Sequence, residues 1–205
     1  MKKKALLIID MWDNHWCQQT VKQAKIIAPL INKTANKYRD KGHIIIHAPS
    51  GFKMSKYYKD YDQWIKGRPL HKYLNIQAVK TIKLPIYTSI DSCPDTNKMA
   101  QLWTNIHVDI KIHDTDFISN NAGLIFTLLE KNKVNEVYVC GLNLNMCILK
   151  NSYGIINLLK HGFNPVIIGK LTDVMYNPSH WPHVTVRGAK RIVINHIRKT
   201  YCKVI

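Results

Sequence analysis

Cys147 and Asp10 stand where a nucleophile and its base would stand. Cys147 lies in "VYVCGLNLNMCILKNSYGI", residues 137–155: an apolar, β-branched run ends in Cys140-Gly141, passes through Asn143-Leu144-Asn145 and resumes with helical spacing at Met146-Cys147-Ile148. A cysteine in the first turn of a helix faces unpaired backbone N–H groups and the positive end of the helix dipole. Such a setting lowers a thiol pKa from about 8.5 toward roughly 3.5–7.5. The same N–H groups would hold the oxyanion formed when the thiolate attacks a carbonyl, an effect of about 2.7–4 kcal/mol per donor. Asp10 directly follows the apolar run "ALLII". If that run is a central strand, the carboxylate shares a sheet edge with Cys147 and can manage the thiol proton. On spacing alone a small buried cysteine fits Cys147 equally well, and Asp10 can equally cap a turn.

The elements that must position these residues alternate. Ala5–Ile9 reads as a buried strand, residues 20–41 as a helix with apolar Ala24, Ile27, Ile31, Ala35 and Tyr38, and His43–His47 as a second strand, with Gly42 as the helix stop. From about 51 to 103 the pattern breaks into an irregular elaboration rich in aromatics, lysines and turn formers, with a short helix expected near Lys98–Trp103. Alternation then returns: strand 108–112, helix 121–133, strand 136–140, helix 146–161, strand 165–168 and a last helix over 187–199. One domain over 1–205 is expected, an α/β fold with a three-layer, doubly wound parallel sheet and helices on both faces. Ligands of such sheets bind outside the carboxyl ends of the strands, where Asp10, the loop 113–121 and Cys147 all fall.

Composition narrows the function classes. A hydrophobic share of 46% with 21% charged residues suits a globular protein. The apolar runs are too short to span a bilayer, and Lys2–Lys4 lead directly through a short apolar run into Asp10, without a signal-peptide layout. The expectation is a cytoplasmic protein with no membrane partner. The formal charge of +17 raises the question of nucleic acid. Its lysines are spread along the chain and no nucleic-acid-reading motif accompanies them, so a basic solvated surface is expected and no specific nucleic-acid partner. The five cysteines, Cys17, Cys93, Cys140, Cys147 and Cys202, are scattered, odd in number and without a CxxC pair, which argues against a disulfide framework or a thiolate zinc site. Cys93, flanked by acids in "DSCPD", is the poorest nucleophile among them.

The order "ALLIIDMWDNHWC", "GHIIIHAPS" and "EVYVCGLNLNMCILKNSYGIINLLKHGFNPVIIGKLTDVMYNP" resembles the isochorismatase-like cysteine hydrolases, the superfamily of nicotinamidases, N-carbamoylsarcosine amidohydrolase and ureidoacrylate-type amidohydrolases. The resemblance runs over nearly the whole chain and is densest from Gly141 to Gly162. It implies hydrolysis of a small amide or related C–N bond by an Asp-Lys-Cys triad, with Asp10 and Cys147 as two members. It also implies an oxyanion turn at Leu142, Asn143 and Met146, with a non-proline cis peptide at Leu142-Asn143. The family lysine is not in place: "KIHDTDFISNN" puts His113 or Asp114 there, with Lys111 slightly early. His113 is therefore the expected third member.

Other residues carry weaker expectations. His15 and His47 fall near strand ends but lack a third placed ligand, so no metal and no cofactor is assigned. Trp12, Trp16 and Trp103 are either an aromatic wall for a flat substrate or ordinary core. Asp173 and Tyr176 of "LTDVMYNP" line either the pocket or a subunit contact. Tyr57, Tyr58, Tyr61 and Trp64 suggest a homo-oligomer with the 51–75 segment near the contact or over the pocket. A catalytically silent member of the fold, binding a small metabolite, is the alternative to a small-molecule hydrolase.

Overall fold

The computed structural model describes residues 3–51, 73, 75–95 and 100–205. Strand β1 (Ala5–Ile9) is buried at every position, the consequence of an unbroken apolar run covered on both faces. It pairs in parallel with β2 (Ile44–Ala48) on one side and β4 (Glu136–Gly141) on the other. With β3 (Phe117–Ile118), β5 (Asn164–Thr172) and β6 (Lys203–Val204) the described sheet has six strands in the order β3-β2-β1-β4-β5-β6. All its pairings are parallel. Alternation along the strands sorts the core into two faces. Leu7, Ile9, Val137 and Val139 meet α2 (Ala122–Lys131), α3 (Ile155–Lys160) and α4 (Val186–Thr200). Leu6, Ile8 and Ile45 meet Ala24, Ile27, Ala28 and Ile31 of α1 (Gln18–Arg39) on the opposite face. The result is the expected three-layer α/β architecture.

The chain leaves β1 for β2 on one side, and β4 lies on its other side, so the strand order reverses between β1 and β4. Asp10 follows β1 and the Cys147 turn follows β4, which places both at the switch point where ligands of this architecture bind.

Several expectations need correction. Residues 108–112 form turns, not a strand: Ile106 and Ile110 sink into the α1 face as a loop while Val108 is 87% exposed. The strand beside β2 is the two-residue β3 further on. The helix expected over 146–161 is broken. A π-type turn over Leu144–Ile148 is separated from α3 by Gly154, where a Cβ would meet the Ile148 carbonyl oxygen at 2.8 Å. Residues 100–104 form no regular element, and 96–99 lie outside the described residues. So do Tyr57, Tyr58, Tyr61 and Trp64. Cys17 and Cys93 are joined in a disulfide with a Cα–Cα distance of 5.9 Å. Their separation of 76 residues leaves no spacing signal. Strand β6 answers to no sequence expectation. No helix among the described residues is long and apolar enough to cross a membrane.

Candidate active site

Asp10 is fully buried, with its backbone in the left-handed region at φ 54°. Its N–H still donates to the Ala48 carbonyl at 3.2 Å, extending the β1–β2 ladder by one bond. Ser50 N–H donates to Oδ1 at 2.6 Å and Asn151 Nδ2 to Oδ2 at 3.2 Å. The Cys147 thiol adjoins the carboxylate closely enough for each to shift the other's proton affinity. Tyr153 closes the ring: its hydroxyl accepts from Asn151 and donates to Ala48 O, each at 3.3 Å. Burial pushes the Asp10 carboxyl up to about 6, and the bonds from Ser50 and Asn151 together with the neighbouring Cys147 thiol limit the rise.

Cys147 sits in the π-type turn, half-buried. Gly141 delivers the chain to that turn at φ 128°, so close to β1 that a Cβ would stand 1.9 Å from the Ile9 carbonyl oxygen. Asn143 then reverses it at φ 58°, in the left-handed region, and the Leu142–Asn143 bond is trans. The cis peptide implied by the resemblance is therefore absent here. The turn is fixed instead by Asp173, whose Oδ1 accepts Asn143 N–H at 2.6 Å and whose carbonyl accepts Leu144 N–H at 2.8 Å. The Asn145 side chain adds a two-way clasp to the Met175 backbone, at 3.0 and 3.2 Å.

These bonds redraw the oxyanion turn. Leu142 N–H donates to Ile9 O at 3.1 Å, Asn143 N–H to Asp173, and Met146 N–H to Asn143 O at 2.9 Å. All three expected donors are committed elsewhere; the N–H groups of Asn145 and Cys147 are used by none of these bonds. The expected depression of the thiol pKa is reversed as well. Burial pushes it well above the usual range, and the charges of Asp10 and Asp173 add to the rise, while Lys150 pulls it down. A single π-type turn with most of its N–H groups engaged offers little positive end to a thiolate.

A cleft of about 300 Å³ opens against Ser50 and Asn151, the residues that hold Asp10, and is lined also by Ile76, Gln77, Asn120 and Tyr153, among others. Its described lining carries amides and hydroxyls, with no lysine, arginine, aspartate or glutamate.

The expected third member is not brought to this site. His113 is exposed, and its backbone N–H donates to Asp116 Oδ2 at 3.1 Å. It lies ahead of β3, not after a strand, because 108–112 is a loop. Lys111 is exposed too, with its carbonyl bonded by Arg39. Asp116 is the centre of a structural network: Arg39 grips it at 2.8 and 2.6 Å, and His47 Nε2 lies 2.9 Å away. Burial opposes its ionisation, yet Arg39 and His47 hold its carboxyl well below the usual range. His15 stacks on Trp12 and Trp103, accepts Cys17 N–H on Nδ1, and is kept neutral by burial, with its pKa down to about 4. Trp12 and Trp103 stack at 4.5 Å and both donate to Ser50 O. They buttress the residue that holds Asp10 instead of lining the cleft. Tyr176 is buried, its hydroxyl bonded to His180 O.

Ser50, Asn151, Tyr153 and Lys150 were not singled out from sequence. Asn151 stands four residues after Cys147 and Ser50 just past the end of β2, so sheet-edge and helical-face reasoning pointed toward both.

No family model matches the chain, and no curated protein matches it in sequence. Solved structures do match it in fold. A cysteine hydrolase from Pseudomonas syringae pv. phaseolicola superposes with a TM-score of 0.62 at 16% identity, covering 98% of this chain and 87% of that one. The pyrazinamidase/nicotinamidase of Streptococcus mutans gives 0.59 at 14% identity, over 99% and 100% of the two chains. The pyrazinamidase of Pyrococcus horikoshii, in complex with zinc, gives 0.55 at 16% identity, over 99% and 98%. The fold is thus that of the isochorismatase-like cysteine hydrolases. Among the described residues no histidines come together as zinc ligands: His47 is tied to Asp116 and His15 to Cys17. Among the described residues the group offering three ligand atoms within 4.8 Å is Cys17, Cys93 and Asp95.

Proposed function

We propose that this protein hydrolyses a small, uncharged amide or related C–N bond through Cys147. The reading rests on one observation: a buried carboxylate adjoining a half-buried thiol at the strand-order switch point, with an uncharged cleft against Ser50 and Asn151, the residues that hold the carboxylate. Cys147 Sγ attacks the carbonyl carbon as Asp10 takes the thiol proton, and the oxyanion meets the N–H groups of Asn145 and Cys147. Collapse breaks the C–N bond, and the departing nitrogen takes the proton from Asp10. Water, deprotonated by Asp10, then attacks the thioester carbonyl, and the C–S bond breaks as the Cys147 sulfur takes the proton back from Asp10. Lys150 supplies the positive charge that His113 was expected to supply. A homo-oligomer acting in the cytoplasm completes the reading.

The test is a panel of amides, ureido compounds and carbamates offered to wild type and Cys147→Ala. Turnover abolished by the substitution is the expected result. Because the resting Cys147 thiol is raised well above the usual range, its unassisted alkylation is expected to be slow, so turnover that persists in Cys147→Ala is the result that rejects the nucleophile. The raised thiol favours one other reading, a silent member of the fold that binds a small metabolite. It predicts ligand-dependent thermal stabilisation of both proteins without turnover.

A further inference from the structure

The Cys17–Cys93 pair takes no part in the chemistry above, yet it is not surrounded as a plain structural bridge would be. An Asp95 carboxylate oxygen lies within 4.8 Å of both sulfurs. Cys17 is the N-cap of α1, a 22-residue helix with no acidic residue in its first turn. Asp95 Oδ2 accepts Gln18 N–H at 2.7 Å and Gln19 N–H at 3.3 Å, and Asp95 N–H donates to Cys93 Sγ at 3.3 Å. A long helix's positive end and an N–H···S bond favour thiolate and carboxylate, the forms that bind metal. Both sulfurs are buried, while Asp95 is half-exposed and leaves a side open to water.

We propose that the reduced protein binds one thiophilic divalent cation, of the zinc type, through Cys17, Cys93 and Asp95, with water as the fourth ligand. A dithiol reductant opens the bridge, giving two electrons and two protons to the sulfurs and leaving as its own disulfide. The cation then displaces both thiol protons as two metal–sulfur bonds form. Cα atoms 5.9 Å apart suit a shared ion as well as a bridge. In a reducing compartment such a pair is held as thiols, the state in which this site exists.

The test uses the full chain, reduced with a phosphine, freed of metal and titrated with Co²⁺. Expected are about one equivalent bound, a sulfur-to-cobalt charge-transfer band, and displacement by Zn²⁺. Zinc should also shield Cys17 and Cys93, but not Cys202, from N-ethylmaleimide in peptide maps of wild type. Asp95→Asn should weaken binding at least about tenfold, the loss typical of even an outer-shell partner. Cys147→Ser should retain the band, which separates this site from the proposed nucleophile. The proposal is overturned if the band is absent in wild type, persists in Cys93→Ser or is lost in Cys147→Ser. Equal binding by the oxidised protein, or a bridge that resists reduction in the native chain, overturns it too.

Discussion

At the scale of residues, the proton between Asp10 and Cys147 decides the chemistry. The carboxyl is raised only to about 6 while the thiol is raised well above its usual range, so at neutral pH the resting pair is a carboxylate beside a protonated thiol. Activity should therefore rise with pH through about 6 as Asp10 ionises, and a pH–rate profile of kcat/KM measures this. Asp10→Asn keeps the Ser50 bond but cannot take a proton, and should cut kcat by roughly 10²–10⁴-fold. Asp173 carries a stability cost of the same origin. Burial raises its carboxyl from 3.8 to about 7, so the folded state holds the proton more tightly than the unfolded chain does. The resulting stabilisation is full below pH 3.8 and is lost as pH rises through about 7. Asp173→Asn removes the charge and keeps an acceptor for Asn143 N–H. It should raise stability at pH 8 relative to pH 5 by on the order of 2 kcal/mol, read from urea midpoints at the two pH values.

At the scale of elements, the site depends on how closely β4 can pass β1. Gly141→Ala would drive a Cβ into the Ile9 carbonyl at 1.9 Å and displace the turn that carries Cys147. A loss above about 4 kcal/mol is expected, in the range reserved for such disruptions. Gly162→Ala is the control: φ is 81° but nothing lies within 4 Å, so only the left-handed cost of about 1–2 kcal/mol applies. Thermal unfolding of both variants gives the comparison. The same contrast explains what was legible beforehand. β1, β2 and β4 and the helices α1, α2 and α4 declare themselves through apolar runs and periodicity, local properties of the chain. Asp10 and Cys147 became legible because they follow the ends of two of those strands. The break at Gly154, the hold of Asp173 on Asn143 and the Cys17–Cys93 bridge exist only once distant segments meet. His113 was misplaced for a related reason: the alternation at 108–112 matched a strand, yet the segment is a loop anchored by Ile110, with Val108 and Ile112 exposed. Two-residue strands such as β3 and β6 carry too few side chains to show a period at all.

At the scale of the whole molecule, the charge of +17 and self-association pull in opposite directions. Like-charged copies repel, but at physiological ionic strength the Debye length is about 8 Å, so repulsion between their surfaces is largely screened. Apolar contact is not screened. On the described surface Ile26 and Leu30, four residues apart on α1, are 60% and 47% exposed, and Trp181 is 58% exposed. Charge-driven binding of nucleic acid has the reverse dependence, because each neutralised phosphate releases counterions and affinity falls as salt rises. Ionic strength therefore separates the two uses of this surface. Light scattering in physiological salt should give at least twice the 23.8 kDa of one chain, with dissociation favoured as salt is lowered. A random-sequence duplex should bind only at low salt. A monomer at micromolar concentration in physiological salt would remove the homo-oligomer while leaving the fold and the Asp10–Cys147 pair untouched. Duplex binding that survives in that buffer would instead assign the basic surface to nucleic acid.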